Sequence, residues 1–375
     1  MPSKILFILP SLEIDGNSIQ ASVLARRLLS SPFEPRILCL QGEGALAASV
    51  RKSGVPVDSL DLGQSGTFKG CLQVRRYCIQ HDIDIAHTLL GDLDYLAVRG
   101  ARAAGVPTVI TSRRKISDSA DLRLLRIRKA ANKRTSVVVC DSQAVLDAAS
   151  QAEGFPQTQA RVIAPGFPEE SIPALPLISS RPAKKEALRP YQIQEKELVL
   201  VCIANFTENK NHFRLLDALR KVLLEGLLVR LFLIGDGPTR AEVDRYVENL
   251  SLRMAVVFLG HRVDRLKFLA EADALVLPSL SDGIPSALLE AQALGIPAIG
   301  SRMGGIPELL QHGETGWTFD PTSVGEIAKA MWTVLSRNED AAHCAARGQE
   351  RIRRLFSARE MTAKYASLYG DLCSA

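Results

Sequence analysis

Short apolar runs alternate with longer stretches of helical periodicity along almost the whole chain. This rhythm plays twice. In the first half, runs at 4–9, 36–40, 83–87, 108–112 and 136–140 read as strands. The stretches between them, such as 18–29 and 95–104, place apolar residues at helical spacing. Near-continuous apolar strands separated by helices predict a parallel sheet covered on both faces. The rhythm stops at 164–190, where Pro165, Pro168, Pro173, Pro176, Pro182 and Pro190 fall in a stretch of little periodicity, the best linker candidate. It then restarts, with strands expected at 198–203, 229–234, 256–259, 274–277, 298–300 and 317–319. Helices are expected at 213–225, 239–250, 264–270, 285–294 and 324–336, and over 339–373 with a break at Phe356-Ser357.

The expected fold is therefore α/β, with two Rossmann-like βαβ domains facing each other across a cleft. Their expected limits are 1–185 and 186–357, with a last helix at about 358–375 packing back on the first domain. Ligands of open parallel sheets lie beyond the carboxyl ends of the strands. Two such edges facing each other suit a transfer between two bound molecules.

Size and charge narrow the functional class. The 375 residues allow a sizeable core in each of two domains. A formal net charge of +5 is too small to argue for nucleic acid. The apolar start, Ile5 to Leu9, meets Pro10 with no small-residue cleavage site behind it, so it reads as a buried strand rather than a secretory signal. No run approaches the roughly 18 apolar residues of a membrane span. The seven cysteines form no CxxC pair and their number is odd, which fits reduced thiols in a cytoplasm.

The richest chemistry lies at Leu277-Pro278-Ser279-Leu280-Ser281-Asp282-Gly283-Ile284-Pro285-Ser286. A strand ends, a loop containing Gly283 follows, and a helix starts near Pro285, a residue favoured in a first turn because its missing N–H is not needed there. The free N–H groups of that turn, with the helix dipole, form an anion site. Glu290 follows Ser286 by four residues, one turn deeper on the same face. Asp282 reads either as a helix cap or as a ligand for hydroxyls. Glu290 has mostly apolar flanks, so its carboxylate is expected to be buried and to need a partner. Backbone donors for phosphate plus carboxylates for hydroxyls match a sugar nucleotide.

The run 279–308, with Asp282, Gly283, Pro285, Glu290, Ala291, Gly295, Pro297, Gly304-Gly305 and Glu308, resembles the retaining GT-B glycosyltransferases of family 4. Their signature places two acidic residues with seven residues between them, then Gly-x-Pro and Gly-Gly-x-x-Glu. The likeness runs through almost all of the chain, more weakly in the first half. It implies that Glu290 binds the ribose hydroxyls of the nucleotide and that Asp282 lies near the donor-sugar hydroxyls. It also implies that backbone around Gly283, Ile284, Pro285 and Ser286 touches the sugar and distal phosphate. The family usually has Glu where this chain has Asp282.

Lys210, beside an expected helix start, is suited to neutralise a diphosphate. The family clamps that group with an Arg and a Lys five positions apart; Lys210 matches the Lys, but Asn205 stands at the Arg position and brings no charge. Arg262 and Arg302 are the alternative cations. In the first half, Gly16 precedes a helix where a backbone can approach phosphate, and the family's Gly-Gly is here Asp15-Gly16. Arg113 stands at a strand end where many members place a cleft His. It stays protonated, so its expected role is to bind a phosphate or carboxylate of donor or acceptor. His87, also at a strand end, reads either as an alternative cleft residue or, better, as a packed or solvated histidine. The basic segment 113–134 interleaves Leu122, Leu124, Leu125 and Ile127 with cations and reads either as a solvated helix or as a face for an anionic membrane. Asp82-Ile83-Asp84 and Asp92-Leu93-Asp94 mimic a metal-holding Asp-x-Asp but are better read as a strand entrance and a turn.

The resemblance thus implies a retaining, metal-independent hexosyltransferase with no cofactor, using a nucleotide-diphosphate sugar as donor. The expected catalytic residues are Asp282, Lys210 and Arg113. The expected setting is bacterial cell-surface polysaccharide or glycolipid synthesis, with a lipid-linked sugar acceptor, the cytoplasm or its membrane face as location, and no nucleic-acid partner. The competing readings are a non-catalytic sugar-nucleotide-binding subunit and a GT-B sugar-nucleotide epimerase.

Overall fold

The computed structural model describes residues 2–62, 67–116, 122–171, 186–336 and 338–374. Pro173, Pro176 and Pro182 of the expected linker lie outside them, as do Asp118 and Asp121 of the basic segment. The chain divides into two compact units: Met1–Pro168 with Ser357–Ala375, and Glu169–Phe356.

The first unit is built on seven strands: β1 (Ser3–Leu9), β2 (Phe33–Cys39), β3 (Val57–Ser59), β4 (Ile85–Thr88), β5 (Thr108–Arg113), β6 (Val137–Cys140) and β7 (Ala160–Val162). They lie in the order β3-β2-β1-β4-β5-β6-β7, and every pairing is parallel. Strand β1 shows why a continuous apolar run was needed. Successive side chains point to opposite faces. Ile5, Phe7 and Leu9 enter one apolar layer, and Leu6 and Ile8 enter the other. All five are fully buried, and each contributes about 1.5–3 kcal/mol of burial free energy. The first layer is completed by Met361, Tyr365, Leu368 and Tyr369, which come from the helix Ala358–Ser374. The second is covered by the helices Thr67–His81 and Asp94–Ala103.

The second unit has six parallel strands: β8 (Leu198–Ile203), β9 (Val229–Ile234), β10 (Val256–Gly260), β11 (Ala274–Leu277), β12 (Ala298–Ser301) and β13 (Trp317–Phe319). Their order is β10-β9-β8-β11-β12-β13. Counted within the unit this is 3-2-1-4-5-6, the doubly wound dinucleotide-fold order, whose switch point falls between β8 and β11. Those two strands pair directly, Ala274 with Leu200 and Leu275 with Val201. The two edge strands β3 and β7 have three residues each and were not foreseen. In both, a charged residue, Asp58 or Arg161, interrupts the stretch, so neither reads as an apolar run.

The seven cysteines are unpaired, six of them buried and Cys373 exposed. Among the described residues, no helix is long and apolar enough to cross a membrane.

Candidate active site

Two loops meet at the switch point of the second unit. The first, 204–211, leaves β8. The second, 278–285, leaves β11. Leu280 N–H donates to Asn209 O at 2.8 Å, and Asn209 Nδ2 donates to Ser281 O at 2.7 Å. Asn211 adopts the left-handed conformation at φ 58°, which Asn tolerates better than most residues. Its buried carboxamide donates to Pro278 O and Pro321 O. This stitching fixes the residue before it. Lys210 Nζ donates to Asp282 Oδ2 at 2.6 Å. His212, next to Lys210, stacks on Phe206 with ring centroids 4.3 Å apart. Burial, then the Lys210 charge, pushes its pKa down to about 4, so the positive charge here belongs to Lys210 alone of the two.

Asp282 does not cap the following helix. Its carboxylate faces Lys210, and the cap position of the helix Ser286–Ala293 is Pro285, with ψ at 128°. Pro285 therefore precedes the helix instead of opening it. The N–H groups of Ser286, Ala287 and Leu288 have no acceptor within the helix. Gly283, Ile284 and Pro285 are buried and Ser286 is half-buried. In the same loop the hydroxyls of Ser279 and Ser281 are buried with no hydrogen-bond partner among the described residues. A third loop closes on Asp282 from the far side. Gly305 N–H donates to Asp282 O at 3.0 Å. Gly304 has φ 60°, and a Cβ there would lie 2.0 Å from the same oxygen. Only glycine fits.

Glu290 is buried, and every neighbour on its helix from Ala287 to Ala293 is buried too. The expected partner exists. Arg265 Nη2 donates to Oε1 at 2.6 Å and Nε to Oε2 at 3.2 Å. Arg265 opens the helix Arg265–Ala270, the crossover from β10 to β11. Sequence reasoning did not find it.

The remaining expected residues fall in other roles. Asn205 is exposed, and its carboxamide bonds no described residue. Arg262 forks onto Asp264, with both bonds at 2.8 Å, and Arg302 pairs with Glu326; both cations are already paired with carboxylates. Arg240, which was missed, lies 3.5 Å over the Phe258 ring and 5.4 Å from that of Phe206, the residue after Asn205. Gly235 was missed as well: a Cβ there would lie 2.1 Å from Ala204 O. The Gly-Asp-Gly directly after β9 was its signal.

Arg113 is a correction. It is not open to a ligand. Its side chain is 3% exposed and all five N–H groups have protein acceptors: Asp94, Glu153, Asn132 and the Ser112 carbonyl. The network ties β5 to three helices. Asp94, expected as a turn residue, also accepts from Thr88; burial raises its pKa, and Arg113 opposes the rise. His87 is likewise structural. It is fully buried, bonded at 2.7 Å to Tyr369 Oη and to Ser112 Oγ, and its pKa is pushed down to about 3, mainly by burial. At Gly16 the helix start is filled from within. Asp15 Oδ1 accepts from Asn17 N–H at 2.8 Å and from Ser18 N–H at 3.0 Å, so two of the amides expected to face a phosphate are taken. The helix Leu122–Asn132 turns Leu124, Leu125 and Ile127 partly inward and exposes Arg123, Arg126 and Lys129. Asp84 accepts from Lys4 N–H; the Asp92 side chain lies outside the described residues.

Residues 16–166 match the family described as Glycosyl transferase 4-like domain, and 183–351 match Glycosyl transferases group 1. N-acetyl-alpha-D-glucosaminyl L-malate synthase of Bacillus anthracis is 32% identical over 184 residues, 49% of this chain and 48% of that protein. The GDP-mannose-dependent alpha-(1-6)-phosphatidylinositol monomannoside mannosyltransferase of Mycobacterium tuberculosis is 26% identical over 80% of this chain and 79% of its own length. The first of these matches spans about half of its relative. Among solved structures, Anabaena HepE in complex with UDP and glucose superposes with a TM-score of 0.85 at 20% identity, covering 98% of this chain and all of that one. That likeness concerns the fold, and it agrees with two doubly wound parallel sheets. With a matching family in each half and the GT-B fold, the chain belongs to the group 1 glycosyltransferases.

Proposed function

We propose that this protein transfers a hexosyl unit from a nucleotide-diphosphate sugar to an acceptor hydroxyl, with retention and without a metal. The observation that carries the proposal is the grouping of Lys210, Asp282, the amides of Ser286 to Leu288 and Glu290 around one switch point. Lys210 and those amides would meet the diphosphate, Asp282 the sugar hydroxyls, and Glu290 the ribose. The orphaned hydroxyls of Ser279 and Ser281 fit a polar ligand. An unpartnered buried hydroxyl costs about 1–3 kcal/mol.

In the reaction, the bond from the sugar's anomeric carbon to the distal phosphate oxygen breaks, and a bond to the acceptor oxygen forms on the same face. The acceptor proton passes to the leaving phosphate. The barrier is the separation of an anionic diphosphate from a sugar gaining positive charge, and fixed donors aimed at the phosphate lower it. Asn205 brings no charge, and Lys210, bonded to Asp282 between the two switch-point loops, is the central cation of this scheme.

The name of the Mycobacterium tuberculosis relative, a phosphatidylinositol monomannoside mannosyltransferase, and that of a putative colanic acid biosynthesis glycosyltransferase of Escherichia coli, 28% identical over 48% of this chain, support an acceptor in cell-surface glycolipid or polysaccharide synthesis. The basic exposed face of Leu122–Asn132 supports peripheral contact with an anionic cytoplasmic membrane surface. The test is a panel of UDP- and GDP-sugars, scored for binding by thermal shift and for release of nucleoside diphosphate with lipid-linked and soluble acceptors, with and without EDTA. The expected result is turnover that EDTA does not reduce, lost in Glu290→Ala together with nucleotide binding. Binding without turnover for any acceptor would make the protein a sugar-nucleotide-binding subunit instead.

A further inference from the structure

We propose that Arg265 is a positioning residue that sets the enzyme's preference for a ribose over a deoxyribose in its donor. The inference rests on the reading of Glu290 as the ribose-binding group.

A carboxylate on a flexible side chain can accept hydrogen bonds in many orientations. To hold a vicinal diol it must present both oxygens in one plane. Here that plane is set from outside. The guanidinium of Arg265 meets Oε1 through Nη2 and Oε2 through Nε, a two-point contact that fixes both the position and the tilt of the carboxylate. A single point charge would neutralise Glu290 without fixing its plane.

Three further observations separate this from simple neutralisation of a buried charge. First, Arg265 is not shared. Its neighbours Arg262 and Asp264 pair with each other, and among the described residues Arg265 donates only to Glu290. Second, the fork uses two of the roughly four lone-pair directions of the carboxylate, leaving two for a ligand. Third, Arg265 is the first residue of the crossover helix after β10, and Glu290 lies in the second turn of the helix after β11. The fork therefore reaches Glu290 at the carboxyl edge of the sheet, where the switch point opens.

The experiment compares binding of UDP and GDP with that of their 2′-deoxy forms, by calorimetric titration, to the full chain and to Arg265→Lys, Arg265→Gln and Glu290→Gln. Lysine keeps the charge and so the neutralisation, but it cannot present two coplanar N–H groups. In the native protein the better-bound ribonucleotide is expected to exceed its deoxy form by about tenfold or more, the worth of one hydrogen bond to a charged group. Arg265→Lys is expected to bring that ratio to within about threefold, with the deoxy form bound nearly as in the native protein. Arg265→Gln should do the same.

An unchanged ratio in Arg265→Lys, with the ratio lost in Glu290→Gln, overturns the positioning role and leaves the nucleotide reading standing. An unchanged ratio in Glu290→Gln, or none in the native protein, overturns both. Loss of the folding transition in Arg265→Lys would assign the pair to stability alone and also overturn the proposal.

Discussion

Replacing Arg113 by methionine keeps much of the side chain's apolar bulk and removes its charge and five donors. Two carboxylates then remain at nearly zero exposure, Asp94 and Glu153, with side chains 0% and 1% exposed. Breaking a buried ion pair by deleting one partner destabilises by about 3–5 kcal/mol, because the remaining charge stays desolvated. For a unit of this size each kcal/mol lowers the melting midpoint by about 2–4 °C, so the first unit should melt about 6–20 °C earlier. Calorimetry on the full chain measures this as a downward shift of one transition while that of the second unit stays in place. The pH dependence has a defined sign. Burial already raises the pKa of Asp94 and Arg113 opposes the rise. Without Arg113 the pKa climbs further, so folded Asp94 binds a proton that unfolded Asp94, near 4, does not. The deficit should therefore shrink as pH falls from 7 towards 4.5. A variant within about 1 kcal/mol of the native protein at pH 7, or a deficit that grows on acidification, would refute the reading of Arg113 as a lock.

Gly304→Ala should displace Asp282, because its Cβ would meet Asp282 O at 2.0 Å in a left-handed conformation; calorimetric titration should show nucleotide binding weakened by about tenfold or more, and unchanged affinity would remove Gly304 from the site. Acid should destabilise the protein through two histidines that fold neutral, His87 with its pKa at about 3 and His212 at about 4. Their stabilisation is full above pH 6.5 and is lost as pH falls below it, at about 1.4 kcal/mol per pH unit for each. Urea titrations from pH 6.5 to 4.5 would show this, with a shallower slope for His212→Gln; equal slopes would count against it. Truncation after residue 357 removes Met361, Tyr365, Leu368 and Tyr369 from the first unit's core. Four such side chains represent about 6–12 kcal/mol of burial, comparable to a whole domain's net stability. The first unit should lose its calorimetric transition and the second should keep its own.

What could be read from the sequence, and what could not, divides along the distance between partners. Strands β8, β9, β11 and β13 were legible to the residue, β11 and β13 because they are bounded on both sides, by Asp273 and Pro278 and by Gly316 and Asp320. The burial of Glu290 was legible from its flanks, but not the identity of Arg265, which lies 25 residues earlier on another helix. Arg113 was misread for the same reason. A strand-end arginine looks alike in sequence whether it faces a ligand or its own chain, and its carboxylates lie 19 and 40 residues away. Asp282 failed as a cap because its carboxylate met Lys210, a partner 72 residues distant. Pro285 was misplaced by one position because its fixed φ suits both the cap and the first turn, and only ψ separates them.

The helix Ala358–Ser374 has a consequence for how the protein is made. The first unit is discontinuous, and its missing piece follows all of the second. A ribosome adding about 5–20 residues per second needs about 10–40 s to traverse the roughly 190 intervening residues. During that time the face of the sheet bearing Phe7 and Phe33 lacks Tyr365 and Tyr369, and His87 lacks its phenol. The second unit, continuous from 169 to 356, can complete its fold first. The nascent first unit is therefore the stage at which a holdase would find exposed apolar surface, and a chain broken off anywhere before residue 361 displays that surface to the proteolytic machinery.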